Sequence, residues 1–380
     1  MSMVSAFRLT WLLAALASGA GGTARAEIEY DAVLTTDLLR NHSGGLREGS
    51  RVMSNLDLSA AWQGQGHWDG FAYVLADAGG GFSERYSGDA QVISNIDAPK
   101  GVRLFEAWLR RTAESDRWSV TGGLINLNGI FDVQEAGALF LHASHGIGPD
   151  YSQTGPSIFP FAALGVVGDW QATDSLRLRG GLFDGVAGDP AHQSSFVGIR
   201  LGDEDGAHWV VEAEQNFSRG YVKVGAWGYT AEAERLDGSG LSRANRGQYA
   251  QAKYDFYRPD PESDRGISGW LRWGQANKDI QAIDTYIGGG VVWTGPVAGR
   301  ESDAVGLAIA RADFGTPYAT ALGVALKPET AWELSYRYAI RDGLSVQPDI
   351  QYIQNPSGDP DTEDALVLGL RLRVGLQAFE

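Results

Sequence analysis

Apolar and polar residues alternate one by one through many segments of this chain. Between Leu366 and Leu376 the even positions are apolar, and the odd positions between them include Gly369, Arg371 and Arg373. The same alternation recurs near residues 250–256, 332–338 and 344–352, as the printed sequence shows. Successive side chains of a strand point to opposite faces of its sheet. The pattern therefore predicts many β-strands, each with one apolar face and one polar face.

Two architectures satisfy this alternation, a soluble sandwich with its apolar faces inside and a membrane barrel with its apolar face outside. The alternating segments are about 10 to 12 residues long, which fits a tilted bilayer crossing better than a soluble strand of about 5 or 6 residues. Aromatic residues lie near segment ends, at Trp62, Trp170, Tyr257 and Tyr352. Such residues form the aromatic girdles of outer-membrane barrels. We therefore predict an all-β, antiparallel transmembrane β-barrel.

A first count gives one strand more than the even number that is usual for a single-chain bacterial barrel. Assigning Ser195–Leu201 to a loop leaves sixteen strands. Their predicted positions are 28–39, 51–63, 67–78, 102–112, 117–127, 161–171, 175–184, 207–217, 220–230, 247–257, 267–277, 286–294, 303–312, 330–340, 344–353 and 364–376. Long and short connections then mostly alternate, as extracellular loops and periplasmic turns do in such barrels.

A barrel of sixteen strands encloses a water-filled channel. Irregular backbone at membrane depth is tolerated where it lines such a cavity or is buried in protein. Residues 79–101 and 128–160 are long connections without strand periodicity, and the second contains SHGIGPDYSQTGPSIFP at 144–160. We expect both loops to fold inward and to constrict the channel.

The first 26 residues have the features of a secretory signal peptide. Arg8 precedes a short apolar stretch, and Ala24-Arg25-Ala26 fits a cleavage site, which leaves residues 27–380 as one barrel domain. No later run of 18 apolar residues predicts a membrane helix. The chain has no cysteine and a formal net charge of −16, which disfavours binding to nucleic acid.

The 144–160 stretch is accompanied by five further motifs in a fixed order along the chain: Ile93–Asp97, Leu104–Trp108, Gly225–Thr230, Ser345–Ile353 and Leu366–Arg371. In sequence and order these segments resemble the motifs of the OprB-type carbohydrate-selective porins, and the 144–160 stretch resembles the signature loop of that family. The resemblance covers nearly the whole chain after the signal.

The resemblance implies a sixteen-stranded barrel in the outer membrane of a Gram-negative bacterium. It implies passage of glucose and related sugars, monosaccharides or small oligosaccharides, by passive facilitated diffusion without a cofactor. Outer-membrane lipid and the outer-membrane assembly machinery are the further expected partners. Whether the barrel is a monomer or a homotrimer is left open by the sequence.

Strand phase predicts which residues of the wall face the lumen. With Phe105, Ala107 and Leu109 assigned to the lipid face, Glu106, Trp108 and Arg110 face inward. The same reasoning places Arg177, Arg179 and Trp227 in the lumen. An aromatic ring between opposite charges suits the apolar face and the hydroxyl groups of a sugar. The alternative is a solvated wall whose charges balance one another.

Four polar residues of the two inward loops are further candidates for sugar contacts: Asn95, Asp97, Asp132 and Asp150. Such side chains equally often hold turns in place. Catalytic and metal-binding motifs are weak. His142 and His145 flank a glycine-rich loop without a carboxylate motif, and no Gly-x-Ser-x-Gly nucleophile motif occurs. The leading hypothesis is thus a carbohydrate-selective porin, with a general or weakly anion-preferring porin and an outer-membrane barrel enzyme as alternatives.

Overall fold

The computed structural model of the protein describes residues 27–260 and 263–379. The predicted signal peptide, residues 1–26, lies outside the described residues. Almost all of the described chain forms one closed, antiparallel β-barrel, in which each strand pairs with its neighbours and the first strand closes the sheet against the last.

The barrel contains sixteen strands, which confirms the predicted fold class and strand number. In chain order they are β1 Glu27–Ser43, β2 Gly49–Gln63, β3 Trp68–Ala78, β4 Gly101–Thr112, β5 Trp118–Ile125, β6 Ala163–Gln171, β7 Leu176–Asp184, β8 Ala207–Phe217, β9 Gly220–Tyr229, β12 Arg246–Tyr257, β13 Gly266–Ala276, β14 Ile283–Thr294, β15 Ala304–Phe314, β16 Glu329–Arg341, β17 Leu344–Gln354 and β18 Ala365–Phe379.

The remaining elements lie in the connections. A two-stranded hairpin, β10 Ala233–Glu234 and β11 Leu241–Ser242, lies between β9 and β12. Two short helices occur, α1 at Pro149–Ser152 and α2 at Thr316–Leu322. Single helical turns lie at Ser83–Ser87, Leu127–Gly129, Ala136–Leu139, Ala143–His145 and Pro356–Gly358. No helix among the described residues is long and apolar enough to cross a membrane.

Side-chain exposure follows the period of two along each strand. On β18 Leu368 and Leu370 are 39% and 42% exposed, whereas Val367 and Arg371 are 1% and 8% exposed. The exposed apolar side chains therefore form the outer surface of the barrel, and the buried set points into it. The predicted lipid and lumen faces of β18 are confirmed.

Long and short connections alternate around the barrel. The long connections include 79–100, 126–162, 185–206 and 315–328, and the short ones include 218–219 and 342–343. The long connections lie at the end of the barrel opposite the first residues of β1 and the last residues of β18. We call these ends extracellular and periplasmic respectively.

The predicted lipid-facing position of Phe105 is wrong. A β-bulge interrupts the pairing of β3 with β4, because Tyr73 pairs with Glu106 whereas Val74 pairs with Leu104. The extra residue resets the alternation, so that Phe105 and Glu106 both avoid the lipid face. Phe105 is 2% exposed and its ring packs edge-on against Tyr73. Glu106, Trp108 and Arg110 keep the predicted lumenal phase beyond the bulge.

The assignment of Ser195–Leu201 to a loop is confirmed. Strand β4 extends beyond its pairing with β5, which begins at Ala107. The exposed edge of β4 finds a partner in that loop, because the Leu104 amide donates to the Phe196 carbonyl at 2.7 Å. The loop therefore satisfies a backbone group that the barrel leaves unpaired.

The lipid face predicts a strong cost for a charge in the middle of a strand. Leu334 lies near the centre of β16 and is 48% exposed. We expect Leu334→Arg to lower the free energy of unfolding by about 2–4 kcal/mol, because the guanidinium enters the bilayer core. Denaturant titration of the protein in phospholipid vesicles measures this change in the free energy of unfolding. The control is Leu322→Arg in α2, which is 52% exposed outside the barrel; equal stability of the two variants would contradict the assigned lipid face.

Candidate functional site: the pore constriction

The connection 126–162 folds into the barrel and forms the main obstruction of the lumen. Its two ends are joined to each other next to the wall. The Leu127 amide donates to the Ser157 carbonyl at 2.7 Å, and the Ser157 hydroxyl donates to the Ile125 carbonyl at 2.6 Å. This stem sends the residues between them, here called the constriction loop, across the channel.

A buried arginine of the wall holds the constriction loop. Arg272 on β13 donates to Asp132 at 2.8 and 2.7 Å and to Asp150 at 2.6 Å. The side chains of all three residues have no exposed surface. The guanidinium lies against the rings of Tyr249 and Tyr286, at 5.5 and 5.3 Å from their centroids. One arginine of the wall thereby fixes two distant points of the loop.

Burial dominates the electrostatics of this cluster. It raises the pKa of Asp132 to about 6, although the adjacent Arg272 favours the ionised carboxylate. The Gln251 amide also donates to Asp132 at 3.1 Å. Because buried charges are costly unless they are paired and hydrogen-bonded, the loop and the wall stabilise this arrangement only together.

Carboxylates of the wall also bind backbone amides of the constriction loop. Glu333 on β16 accepts from the amides of Leu141 and His142, at 2.5 and 3.1 Å. Glu212 on β8 accepts from the Asp132 amide at 2.9 Å. These contacts satisfy backbone donors of an irregular segment at membrane depth, where an unpaired donor is costly.

Aromatic stacking fixes the far side of the constriction loop. The Tyr151 ring stacks on Trp227 of β9 with centroids 4.7 Å apart and an interplanar angle of 2°. On the opposite wall the Phe140 ring covers Gly306, where an added Cβ would lie 2.6 Å from the ring. The glycine therefore permits the close approach of the loop to β15.

The second inward loop, residues 79–100, is attached to β1 and β18. Ser94 donates to Asp37 at 2.7 Å, and Arg371 donates to both oxygens of Asp37 at 2.7 Å. Arg371 also donates to Asn95 at 2.8 Å. Asp97 accepts from the amides of Gly81 and Phe82 inside the same loop. The prediction that both loops fold inward agrees with these contacts.

Three of the predicted residues lie together on the lumen face of β4. The Trp108 indole donates to Glu106 at 3.2 Å, and the Arg110 guanidinium lies over the Trp108 ring at 4.8 Å. Glu106 also accepts from the Asn126 amide at 3.1 Å, which links it to the stem of the constriction loop. All three side chains are partly exposed.

The two arginines of β7 differ in exposure. Arg177 is 42% exposed and donates to Asp169 at 2.8 Å. Arg179 is 10% exposed and pairs with Asp169, Glu212 and Glu214. The guanidinium of Arg177 is therefore accessible from the channel, whereas the guanidinium of Arg179 donates its hydrogen bonds to carboxylates of the wall.

Other predicted site residues have structural partners instead of open lumen surface. Trp227, Asp132 and Asp150 are 0% exposed, because the constriction loop covers Trp227 and holds Asp132 and Asp150 against the wall. Their expected sugar contacts are therefore replaced by a positioning role. Asp97 likewise organises its own loop, whereas Asn95 is exposed beside Arg371.

His142 and His145 are buried within the constriction loop, with ring centroids 5.4 Å apart. Burial lowers the pKa of His142 to about 3. His145 lies 3.4 Å from Glu333. In the part of the chain that the structure describes, no cluster of three or more His, Asp or Glu residues has the arrangement of a metal site.

Comparison with known proteins decides the family. The model of the carbohydrate-selective porin, OprB family, matches residues 71–376. The chain belongs to this family. Members are channels of the Gram-negative outer membrane rather than enzymes, which agrees with the fold described above.

Individual relatives are more distant. Porin B of Pseudomonas aeruginosa is 27% identical over 151 residues, and the match spans 34% of this chain and 33% of that protein. The high-pH structure of Pseudomonas putida OprB superimposes with a TM-score of 0.83 at 17% identity, over 92% of this chain and 94% of that chain. The outer-membrane channel DcaP of Acinetobacter baumannii gives 0.59 at 10% identity, over 94% and 99%.

Sequence reasoning missed Arg272, the residue that holds the constriction loop of this family member. A signal for its orientation was present, since Leu271 and Trp273 are apolar neighbours on the lipid face. Alternation therefore places Arg272 in the lumen. Its partners were unpredictable, because Asp132 and Asp150 are more than a hundred residues away in the chain and belong to an irregular loop.

Removal of Arg272 tests whether its ion pairs with Asp132 and Asp150, here called the clamp, hold the constriction loop in place. We expect Arg272→Ala to weaken docking of the constriction loop by about 3–5 kcal/mol, because two buried carboxylates lose their counter-charge. Single-channel conductance should rise, and hydrogen exchange of residues 132–150 should accelerate. Arg311→Ala is the matched control, since Arg311 pairs with Asp313 at an exposed site. Unchanged conductance and exchange in Arg272→Ala would contradict the clamp.

His142 gives a pH prediction with a defined sign. Its folded pKa of about 3 lies below the ordinary value of about 6.5, so the docked loop holds the neutral ring. The neutral His142 ring therefore stabilises the docked loop above pH 6.5, and this stabilisation is lost as the pH falls towards 3. Asp132, with its raised pKa, acts in the opposite direction, and His145 acts with His142.

The comparison of His142→Phe with the parent isolates the histidine, because the other titrating groups are common to both. Acidification from pH 6.5 to 4 should open the parent channel more than the variant, as measured by single-channel conductance. Identical pH profiles would show that His142 does not titrate with loop release.

Proposed function

We propose that this porin passes neutral monosaccharides by passive facilitated diffusion, with Glu106, Trp108 and Arg110 as its sugar-contact site. The observation that carries the proposal is the partly exposed Trp108 ring, held between a carboxylate and a guanidinium on the lumen face of β4. Family membership supports the carbohydrate as the solute class.

The chemistry of these three groups suits a pyranose. The indole face offers an apolar surface to the C–H face of the sugar ring. Glu106 accepts hydrogen bonds from sugar hydroxyls and Arg110 donates to them. Because Arg110 also donates to Thr121 at 3.2 Å and Glu106 is bonded to Asn126, the site is organised before a sugar arrives. Preorganisation lowers the ordering cost of binding, while the small number of contacts permits release.

Arg177, Arg179 and Asn95 are further members of the proposed path. Arg177 and Asn95 have exposed side chains, and Arg179 orients Asp169, which it shares with Arg177. At the level of the loops Arg179, Arg272 and Arg371 are each paired with carboxylates, which leaves little free positive charge to attract anions. This balance favours neutral sugars over the alternative of a weakly anion-preferring porin at that level.

The outer surface indicates how the channel contacts lipid. Exposed apolar side chains of β13–β18, such as Leu271, Leu307, Ile350 and Leu370, cover the middle of the barrel. We infer that outer-membrane lipid surrounds this belt and that the assembly machinery inserts the barrel from the periplasm. A measurement of the protein's mass in a lipid nanodisc distinguishes a monomer from a homotrimer.

Truncation of Trp108 tests the sugar site. We expect Trp108→Ala to raise the glucose concentration for half-maximal flux about fivefold, because the stacking surface is lost. Flux of glucose into proteoliposomes as a function of its concentration measures the change. The matched control is Trp293→Ala, which removes a 44% exposed tryptophan from the outer surface. If Glu106→Ala, Trp108→Ala and Arg110→Ala all behave like the parent, the assigned sugar site is wrong.

A further inference from the structure

The periplasmic mouth of the channel contains arginines that the wall does not neutralise. A cavity of about 410 Å³ opens there and is lined by Arg300, Arg337, Arg341 and Arg373, together with Glu301, Asp303 and Asp342. We call it the periplasmic vestibule. It differs from the loop level of the lumen, where Arg272, Arg179 and Arg371 all have carboxylate partners.

Two acids of the vestibule are already committed to partners. Asp303 binds Arg300 at 2.6 and 2.8 Å and accepts from the Tyr336 hydroxyl at 2.5 Å. Glu301 pairs with Arg265 at 3.0 Å. Once these pairs are formed, Arg337, Arg341 and Arg373 face a single further carboxylate of the lining, Asp342.

Arg337 and Arg373 share the lumen face of two strands that are separated by one other strand. Arg337 lies on β16 and Arg373 on β18, with β17 between them. Their backbones are therefore about 10 Å or more apart, a span that two guanidinium groups can bridge around one small ligand. Among the described residues neither has an ion-pair partner, and the two charges repel each other. Asp264 and Asp303 attract Arg337, and Asp57 attracts Arg373, electrostatically but without forming an ion pair.

The cost of this arrangement points to a ligand. Two like charges that lack partners in a partly enclosed wall destabilise the empty site, and Arg337 is half-buried. A carboxylate or phosphate group between them would remove the repulsion, and arginine binds either group through two parallel hydrogen bonds. The chain as a whole carries a net charge of −16, so an unpaired basic cluster is contrary to its general composition.

We propose that Arg337 and Arg373 form an anion-binding subsite for the carboxylate of a sugar acid, so that the channel admits uronates or aldonates as well as neutral sugars. This inference rests on the proposed function, because it assigns a further solute class to the same channel. The ring of the sugar enters past Trp108, and its carboxylate is then attracted to the vestibule. The positive charge of the two arginines attracts anions to the periplasmic mouth and raises their local concentration there.

The test compares solutes that differ in one group. D-glucose, D-glucuronate and inorganic phosphate are added separately to the periplasmic side of the full-length protein in planar bilayers, and block of the single-channel current is measured. We expect half-block by glucuronate at a concentration about tenfold lower than by glucose, as a charge-assisted bidentate contact gives.

The variants assign the effect to the two arginines. Arg337→Gln with Arg373→Gln should remove the preference for glucuronate and leave glucose block within about twofold. Arg337→Lys with Arg373→Lys should retain part of it, because charge remains but the bidentate geometry does not. Arg311→Gln, which removes an equal charge from the outer surface, should retain all of it. If the double variant fails to fold, Arg373→Gln alone replaces it in the block measurement, because Arg373 lies at the more exposed of the two positions.

Three outcomes would overturn the subsite. They are equal block by glucose and glucuronate in the parent, an unchanged preference in the folded Gln variants, and block by phosphate as strong as by glucuronate, which would show an anion site without sugar recognition. A parent that responds to glucuronate but neither binds nor passes glucose would overturn the proposed function and still support the subsite.

Discussion

The structure depends on one constraint, which is that an irregular loop at membrane depth must find partners for its polar groups inside the barrel. The constriction loop finds many of these partners on the wall. Arg272 holds Asp132 and Asp150, and carboxylates of the wall accept from loop amides. Because the buried charges of Arg272, Asp132 and Asp150 compensate one another across the contact between loop and wall, loop and wall stabilise this arrangement only together.

The same constraint explains the composition of the wall. Where the loop approaches closely, β13–β15 present glycine and alanine to the lumen, as at Gly306 and Ala308. Where it is held at a distance, long charged or aromatic residues such as Glu212 and Trp227 reach across. The constriction loop thus contacts β8, β9, β13 and β16 through side chains of the wall. Arg179, Arg272 and Arg371 pair with carboxylates at the loop level, whereas Arg337 and Arg373 near the periplasmic mouth have no ion-pair partner among the described residues.

Much of the barrel was predictable from the sequence, because strand periodicity is a local property. Alternation gave sixteen strands and the orientation of residues such as Arg371. It failed at Phe105, where a bulge adds one residue and resets the alternation without any change in composition. The site was less predictable. Strand phase predicted a lumenal Trp227, and Asp132 and Asp150 were candidates in an inward loop, but that loop is aperiodic and its partners are distant in the chain. Only the three-dimensional path of the loop separates a residue that contacts solute from one that supports the loop.

The central claim is that a clamped loop leaves a narrow path with a sugar-contact site on the wall opposite. Single-channel current in the presence of increasing glucose tests it most directly, with an inert polyether of the same hydrodynamic size as the reference solute. The account predicts saturable block by glucose at concentrations where the polyether lowers the current only in proportion to bulk conductivity. An equal, non-saturating decrease with both solutes would show that the channel sorts by size alone and would contradict the account.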